Sequence, residues 1–224
     1  MIHYFQTQKT AKVVVEGEVS PKLKSVWLVA HGYGHLASYF INKLKPILNE
    51  ENLVIVPEGL HRYYLNGVSG RVGASWMTKE EREHDIADYC NYLDEVYKQF
   101  ILPLSDKIII NVLGFSQGGA TVCRWASSTE YKIDNLIIWG SVIPPDMVPI
   151  TVGREKFLSK NNIGQWIYVA GDKDEFLSHE QQNAQLEELK KYNIHPETVF
   201  YQGGHDIIEE PLRLLTQKCV KKRM

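Results

Sequence analysis

The sequence predicts a doubly wound α/β sheet, mostly parallel and flanked by helices, on three observations. Short runs rich in Val, Ile and Leu alternate with stretches of helical periodicity. Those runs are nearly continuous in apolar residues instead of alternating with polar ones, as strands buried on both faces require. The chain has 224 residues, 44% hydrophobic and 23% charged, enough for one sizeable domain that we read as spanning residues 1–224.

In chain order, Lys12–Val19 reads as an antiparallel edge strand. The buried strands follow at Val26–Ala30, Leu53–Val56, Lys107–Leu113, Leu136–Trp139, Trp166–Ala170 and Thr198–Tyr201. Leu36–Leu48 is a helix that Pro46 kinks or ends. The clearest helix covers Lys79–Phe100, with Ile86, Tyr89, Cys90, Leu93, Val96, Tyr97 and Phe100 on one face and Thr78 with Glu81 as a capping box. Ser178 with Gln181 repeats that box before a helix ending near Tyr192, and Gln117–Ser127 and Ile207–Val220 supply two more. Two long segments, 61–77 and 141–162, read as irregular. Both follow parallel strands, so they belong over the carboxyl edge of the sheet, where folds of this class bind ligands.

Composition removes several function classes. The formal net charge is -2 and the basic residues are scattered, which argues against nucleic-acid binding; the terminal "KCVKKRM" reads as a solvated helix end. No apolar run approaches the roughly 20 residues of a membrane span, and the N-terminus lacks a secretory pattern. Cys90, Cys123 and Cys219 are widely spaced, which suits buried thiols, not a disulfide framework or a zinc site. The expected location is the cytoplasm, and a homodimer is compatible with the sequence.

The chemistry begins at "IIINVLGFSQGGATVCRW", residues 108–125. Gly114-Phe115-Ser116-Gln117-Gly118 stands between a strand and a helix, the setting in which G-x-S-x-G places a serine on a strained turn with its hydroxyl exposed. A serine nucleophile needs a base. His179, His195 and His205 follow it, and His205 alone sits in a glycine-rich turn after the last strand, on the sheet edge of Ser116; His179 and His195 read as surface residues. The orienting acid should leave the same edge between the two. "GDKDE" offers Asp172 and Asp174, which geometry alone does not separate, and Asp146 competes after the preceding strand. An oxyanion needs fixed N–H donors. The backbone N–H of Gln117 opens the helix, and that of Tyr33 lies in the loop His31-Gly32-Tyr33-Gly34; His31 itself reads as a buried histidine that orients this loop.

The pieces HG, GFSQGG, GDKD and GGH, in this order, resemble the phospholipase/carboxylesterase branch of the α/β-hydrolases, which includes the acyl-protein thioesterases. "SWM" at 75–77 is similar to a tryptophan-bearing loop of that family. The resemblance spans about Ser25 to the C-terminus. It implies an α/β-hydrolase fold with little or no cap domain, a Ser116–Asp174–His205 triad with Asp174, not Asp172, as the acid, and hydrolysis of carboxylic esters or thioesters through an acyl-enzyme, with no cofactor or metal. His35 stands where the family usually has aspartate after H-G-x-G, and "EFLS" follows the acid where the family often has Pro and a Val-Pro pair. Both departures bear on substrate preference. Expected substrate contacts are Trp76, Met77 and Phe176, with Tyr63, Tyr64, Leu65, Val72, Met147, Val148 and Leu177 as further apolar lining, and Arg71 for an anionic group. An acyltransferase on the same scaffold, or a non-catalytic binding relative, is the alternative function.

Overall fold

The computed structural model describes residues 1–144, 146, 162–191 and 193–220. Seven strands form the central sheet: β1 Val13–Glu16, β2 Ser25–Ala30, β3 Asn52–Pro57, β6 Ile109–Phe115, β7 Ile133–Trp139, β8 Ile163–Gly171 and β9 Glu197–Tyr201. Their spatial order is β1-β3-β2-β6-β7-β8-β9. Every pairing is parallel except that of β1 with β3.

The continuous apolar runs are explained by what covers each face. Along β2, Val26, Leu28 and Ala30 enter one core with Tyr89 and Leu93 of helix α2 (Arg82–Phe100) and Trp125 of α3 (Gln117–Ser128). Trp27 and Val29 point the opposite way, into a second core with Phe40 of α1 (Ala37–Phe40) and Leu212 and Leu215 of α5 (Glu209–Val220). Successive strand residues face opposite sides, so both sets must be apolar when both sides are covered. Helix α4 (His179–Lys191) covers the β8 end, with Leu189 packed against Tyr168. All three cysteines are buried and none is disulfide-bonded.

Four expectations about local structure change. Segment 61–77 is not irregular: β4 (His61–Tyr64) and β5 (Val72–Ser75) pair as an antiparallel hairpin. The anticipated helix Leu36–Leu48 is a single α turn followed by 3-10 helix over Ile41–Ile47, with Pro46 inside it. Helix α2 starts at Arg82, and Glu81 in the left-handed region (φ 49°) precedes it, so Thr78 and Glu81 form no capping box. The Thr78 N–H is satisfied by Asp85 instead, at 3.1 Å. The second box does form: the Ser178 N–H donates to Gln181 Oε1 at 2.9 Å and the Gln181 N–H to Ser178 Oγ at 3.3 Å. Among the described residues no separate cap domain stands over the sheet, and no helix is long and apolar enough to cross a membrane.

Candidate active site

Ser116 is the residue between β6 and α3, at φ 54° and ψ −122°. That is a costly conformation for a residue with a side chain, and the surrounding glycines explain why it is tolerated. A Cβ at Gly114 would lie 2.3 Å from the carbonyl oxygen of Gly118. One at Gly118 would lie 2.2 Å from that of Ala30, where β2 ends. One at Gly119 would strike the Ser141 side chain at 2.3 Å. The turn therefore closes only with bare backbone at these positions, which leaves the half-buried hydroxyl of Ser116 at the carboxyl edge.

The turn after β9 brings His205 to it. His205 Nε2 lies 2.9 Å from Ser116 Oγ, and Nδ1 lies 2.8 Å from Asp174 Oδ2. The Asp174 side chain is fully buried, and its other oxygen accepts the N–H groups of Phe176 and Leu177 at 2.9 and 3.1 Å. These two donors fix the carboxylate before it meets the imidazole. The imidazole packs against Phe115 and Phe176, at centroid distances of 4.9 and 4.8 Å.

The competing carboxylates are occupied elsewhere. Asp172 Oδ1 accepts the Gly203 N–H at 2.9 Å and so ties its own turn to the histidine turn. Asp146 takes a two-pronged bond from Arg124, at 2.9 and 3.0 Å, and a third contact from Arg82 at 3.0 Å. Burial works against its ionised form, but the arginines prevail and hold its carboxyl below the usual range. His179 and His195 are exposed, on α4 and in the connection to β9.

The loop after β2 lies against the serine: a Cβ at Gly32 would stand 3.2 Å from Ser116 Cβ. Neither the Tyr33 nor the Gln117 backbone N–H is engaged by another backbone group among the described residues. His31 is buried with both ring nitrogens used. Nδ1 donates to Gly32 O at 2.8 Å, and Nε2 accepts the Gly59 N–H at 2.9 Å. Burial lowers its pKa to about 4, which keeps this bridge neutral. His35 packs on Phe40 and Phe115, and its buried Nδ1 has no partner among the described residues. Burial first, and the Lys43 ammonium second, push that imidazole below its ordinary pKa.

Of the expected substrate contacts, the structure brings Phe176 to the site, 71% exposed beside His205. Trp76 is a correction: it is fully buried and lines no open surface. Its indole N–H donates to His31 O at 2.9 Å and its ring lies 5.2 Å from the imidazole, so it braces the loop from behind. Met77 is half-buried against the α2–α3 core, with its sulfur 3.6 Å from an Arg124 nitrogen. Arg71 is exposed beside β5. Met147 and Val148 lie outside the described residues. A cavity of about 540 Å³ is lined by Glu16, Lys22, Leu48 and Asn52 at the opposite edge of the sheet, away from this chemistry. Among those residues no cluster of His, Cys, Asp and Glu could hold a metal ion.

Three supporting roles escaped the sequence. Gly140, at φ 54°, backs the histidine. Gln117 holds the segment after β5 through its side chain, with Nε2 donating to Met77 O at 2.8 Å and Oε1 accepting the Trp76 N–H at 3.1 Å. Gln182 of α4, buried, donates to Gly171 O and Leu177 O at 3.3 and 2.9 Å, which staples the two ends of the turn that carries Asp174. A glycine directly after a strand could have signalled the first; nothing in "HEQQNAQLEELKK" marks one glutamine as buried.

This is the α/β-hydrolase fold. Solved structures of esterases share it across nearly the whole chain. Esterase PE8 matches with a TM-score of 0.69 at 18% identity, over 94% of this chain and 98% of that one. The acyl-protein thioesterase 2 of Zea mays matches with 0.66 at 16%, over 94% and 100%. The Bacillus cereus carboxylesterase matches with 0.66 at 15%, over 93% of each. No family model and no curated protein matches the chain.

Proposed function

We propose that the protein is a serine hydrolase that cleaves carboxylic esters or thioesters through an acyl-enzyme. One observation carries the reading: a strained, half-buried serine hydroxyl lies 2.9 Å from an imidazole whose other nitrogen lies 2.8 Å from a buried carboxylate. The three side chains come from three separate turns on one sheet edge, and a merely structural turn requires no such convergence. The esterase and thioesterase names of the structural neighbours point the same way.

In this mechanism Ser116 Oγ attacks the acyl carbon while its proton passes to His205 Nε2. Asp174 holds the ring with Nδ1–H toward it and stabilises the imidazolium. The backbone N–H groups of Tyr33 and Gln117 receive the oxyanion; the second also opens α3, where the helix dipole favours negative charge. As the tetrahedral centre collapses, the electron pair of the breaking bond moves to the leaving oxygen or sulfur, which takes the proton from Nε2. Water, deprotonated by the same nitrogen, then attacks the acyl-serine; as the acyl–oxygen bond breaks, Nε2 returns the proton to Ser116 Oγ and the acid is released. No metal or organic cofactor enters any step.

The test is labelling by a fluorophosphonate probe together with hydrolysis of a simple acyl ester. Ser116→Ala is expected to abolish labelling and to lower kcat by about 10⁵- to 10⁶-fold. Hydrolysis retained in that variant would refute the assignment.

A further inference from the structure

We propose that Phe176 is the leaving-group platform of this site, so that the preferred substrates are esters or thioesters whose alcohol or thiol part is uncharged and has an apolar or aromatic body. The inference rests on the roles of Ser116 and His205 proposed above and adds the direction in which the substrate lies.

The direction follows from the proton. The atom that leaves must take the proton from His205 Nε2, which requires an approach to about 3 Å. The Nδ1 side of the ring is closed by Asp174, and one of its neighbours is Phe115, which is buried. The other is Phe176, set at 64° to the imidazole with centroids 4.8 Å apart and open to solvent. Phe176 is therefore the solvent-open aromatic ring beside the base that the leaving atom must approach.

Phe176 has a fixed backbone and an exposed ring. Its backbone N–H is pinned to Asp174 Oδ1 at 2.9 Å, and the next residue, Leu177, is buried. An aromatic side chain presents roughly 150–250 Å² of mainly apolar surface, and here most of it remains uncovered at 71% exposure. Phe176 lies in "EFLS", the segment in which this chain departs from the Pro and Val-Pro pair that often follow the acid in the resembled family. The adjacent Glu175 is exposed and accepts the His205 N–H at 3.2 Å, which places a negative charge on the same rim. A phosphate-bearing leaving group would be repelled there, whereas a neutral apolar one gains the ring.

The acyl part lies elsewhere. The loop that offers the Tyr33 N–H approaches Ser116 from the side of the hairpin, with Gly34 N–H bonded to Ala74 O of β5 and the Tyr33 ring tilted against that of Tyr63 at 5.2 Å. The oxyanion donors and the histidine thus flank the reacting carbon from different elements, and the leaving group belongs with the histidine.

Two ester series measured in wild type and Phe176→Ala test this. One holds acetate constant and varies the alcohol through ethyl, butyl and benzyl, whose similar acidities keep the chemistry constant. The other holds ethanol constant and lengthens the acyl chain from acetate to hexanoate. Expected is a fall of about tenfold in the benzyl-to-ethyl ratio of kcat/KM on Phe176→Ala, with the hexanoate-to-acetate ratio unmoved. A benzyl-to-ethyl ratio within about twofold of wild type, or a loss that follows acyl length instead, overturns the proposal. A loss equal on all esters, with a shifted pH profile, would make Phe176 a positioning residue for His205 and would also overturn it. Failure of the underlying reading is separately visible, because wild-type protein would then neither react with the fluorophosphonate nor hydrolyse any ester.

Discussion

Gly140 forms the rear wall of His205: a Cβ at position 140 would stand 3.3 Å from both Cε1 and Nδ1 of the imidazole and 3.4 Å from Asp174 Oδ2. The backbone there is also left-handed, at φ 54°. Gly140→Ala therefore acts twice. It strains the backbone by roughly 1–2 kcal/mol, and it presses on the histidine–aspartate pair. A displacement of a fraction of an ångström in the base is expected to lower kcat/KM by up to about 10²-fold. Steady-state kinetics with a urea midpoint on the same variant checks both effects, and wild-type kinetics would show that the wall does not set the imidazole.

Asp174 and Asp172 are two residues apart and do different work. Asp174→Asn is expected to cost about 10⁴ in kcat, because an amide in place of the carboxylate favours the wrong imidazole tautomer. Asp172→Asn retains an oxygen that can accept the Gly203 N–H, so its effect is expected to stay within about tenfold. Both variants should be assayed side by side on one ester. The reverse ranking would remove Asp174 from the proposed mechanism.

Much of this arrangement was legible in the sequence, because it rests on local rules. Glycines at 114 and 118 announce a turn that side chains would obstruct, and the run from Ile109 to Phe115, apolar apart from Asn111 and Gly114, is buried throughout because both faces of β6 are covered. His205 was identifiable because it alone among the downstream histidines follows a strand through glycines. What was not legible depends on distant partners. Trp76 looked like a substrate contact, as large aromatics in active-site loops often are, but His31 O captures its N–H. The choice between Asp172 and Asp174 turned on which carboxylate the turn consumes, and spacing does not encode that. The hairpin 61–75 escaped because its two strands, HRYY and VGAS, are only four residues each and show no clear alternation of apolar with polar residues.

The side chain of Gln117 has a function separate from that of its backbone. It ties the elbow to residues 75–77 and so holds Trp76 against the His31 loop. Gln117→Met preserves volume but leaves the buried Trp76 N–H without its acceptor, a loss of about 1–3 kcal/mol. The loop that presents the Tyr33 N–H should loosen with it. Expected are a lower urea midpoint, a change in near-ultraviolet circular dichroism from Trp76, and a fall in kcat larger than any rise in KM. A variant with altered stability but unchanged kcat would limit the clamp to a structural role.

The His31 bridge makes stability depend on pH in a stated direction. In the unfolded chain its imidazole takes up a proton near pH 6.5, whereas in the folded protein burial lowers its pKa to about 4. Between those values the unfolded state binds the extra proton, so stability falls as pH falls. The contribution is complete above about pH 6.5, and its loss on acidification to pH 4 is on the order of 3 kcal/mol. His31→Gln keeps one donor and one acceptor without a titrating ring, so its urea midpoint should decline less over the same interval. The comparison uses denaturation midpoints at several pH values between 7 and 4, together with a proton NMR titration of the wild-type histidines. The prediction requires one folded-state imidazole that stays neutral well below pH 6, since a His31 that titrates at its ordinary value could not supply the pH dependence.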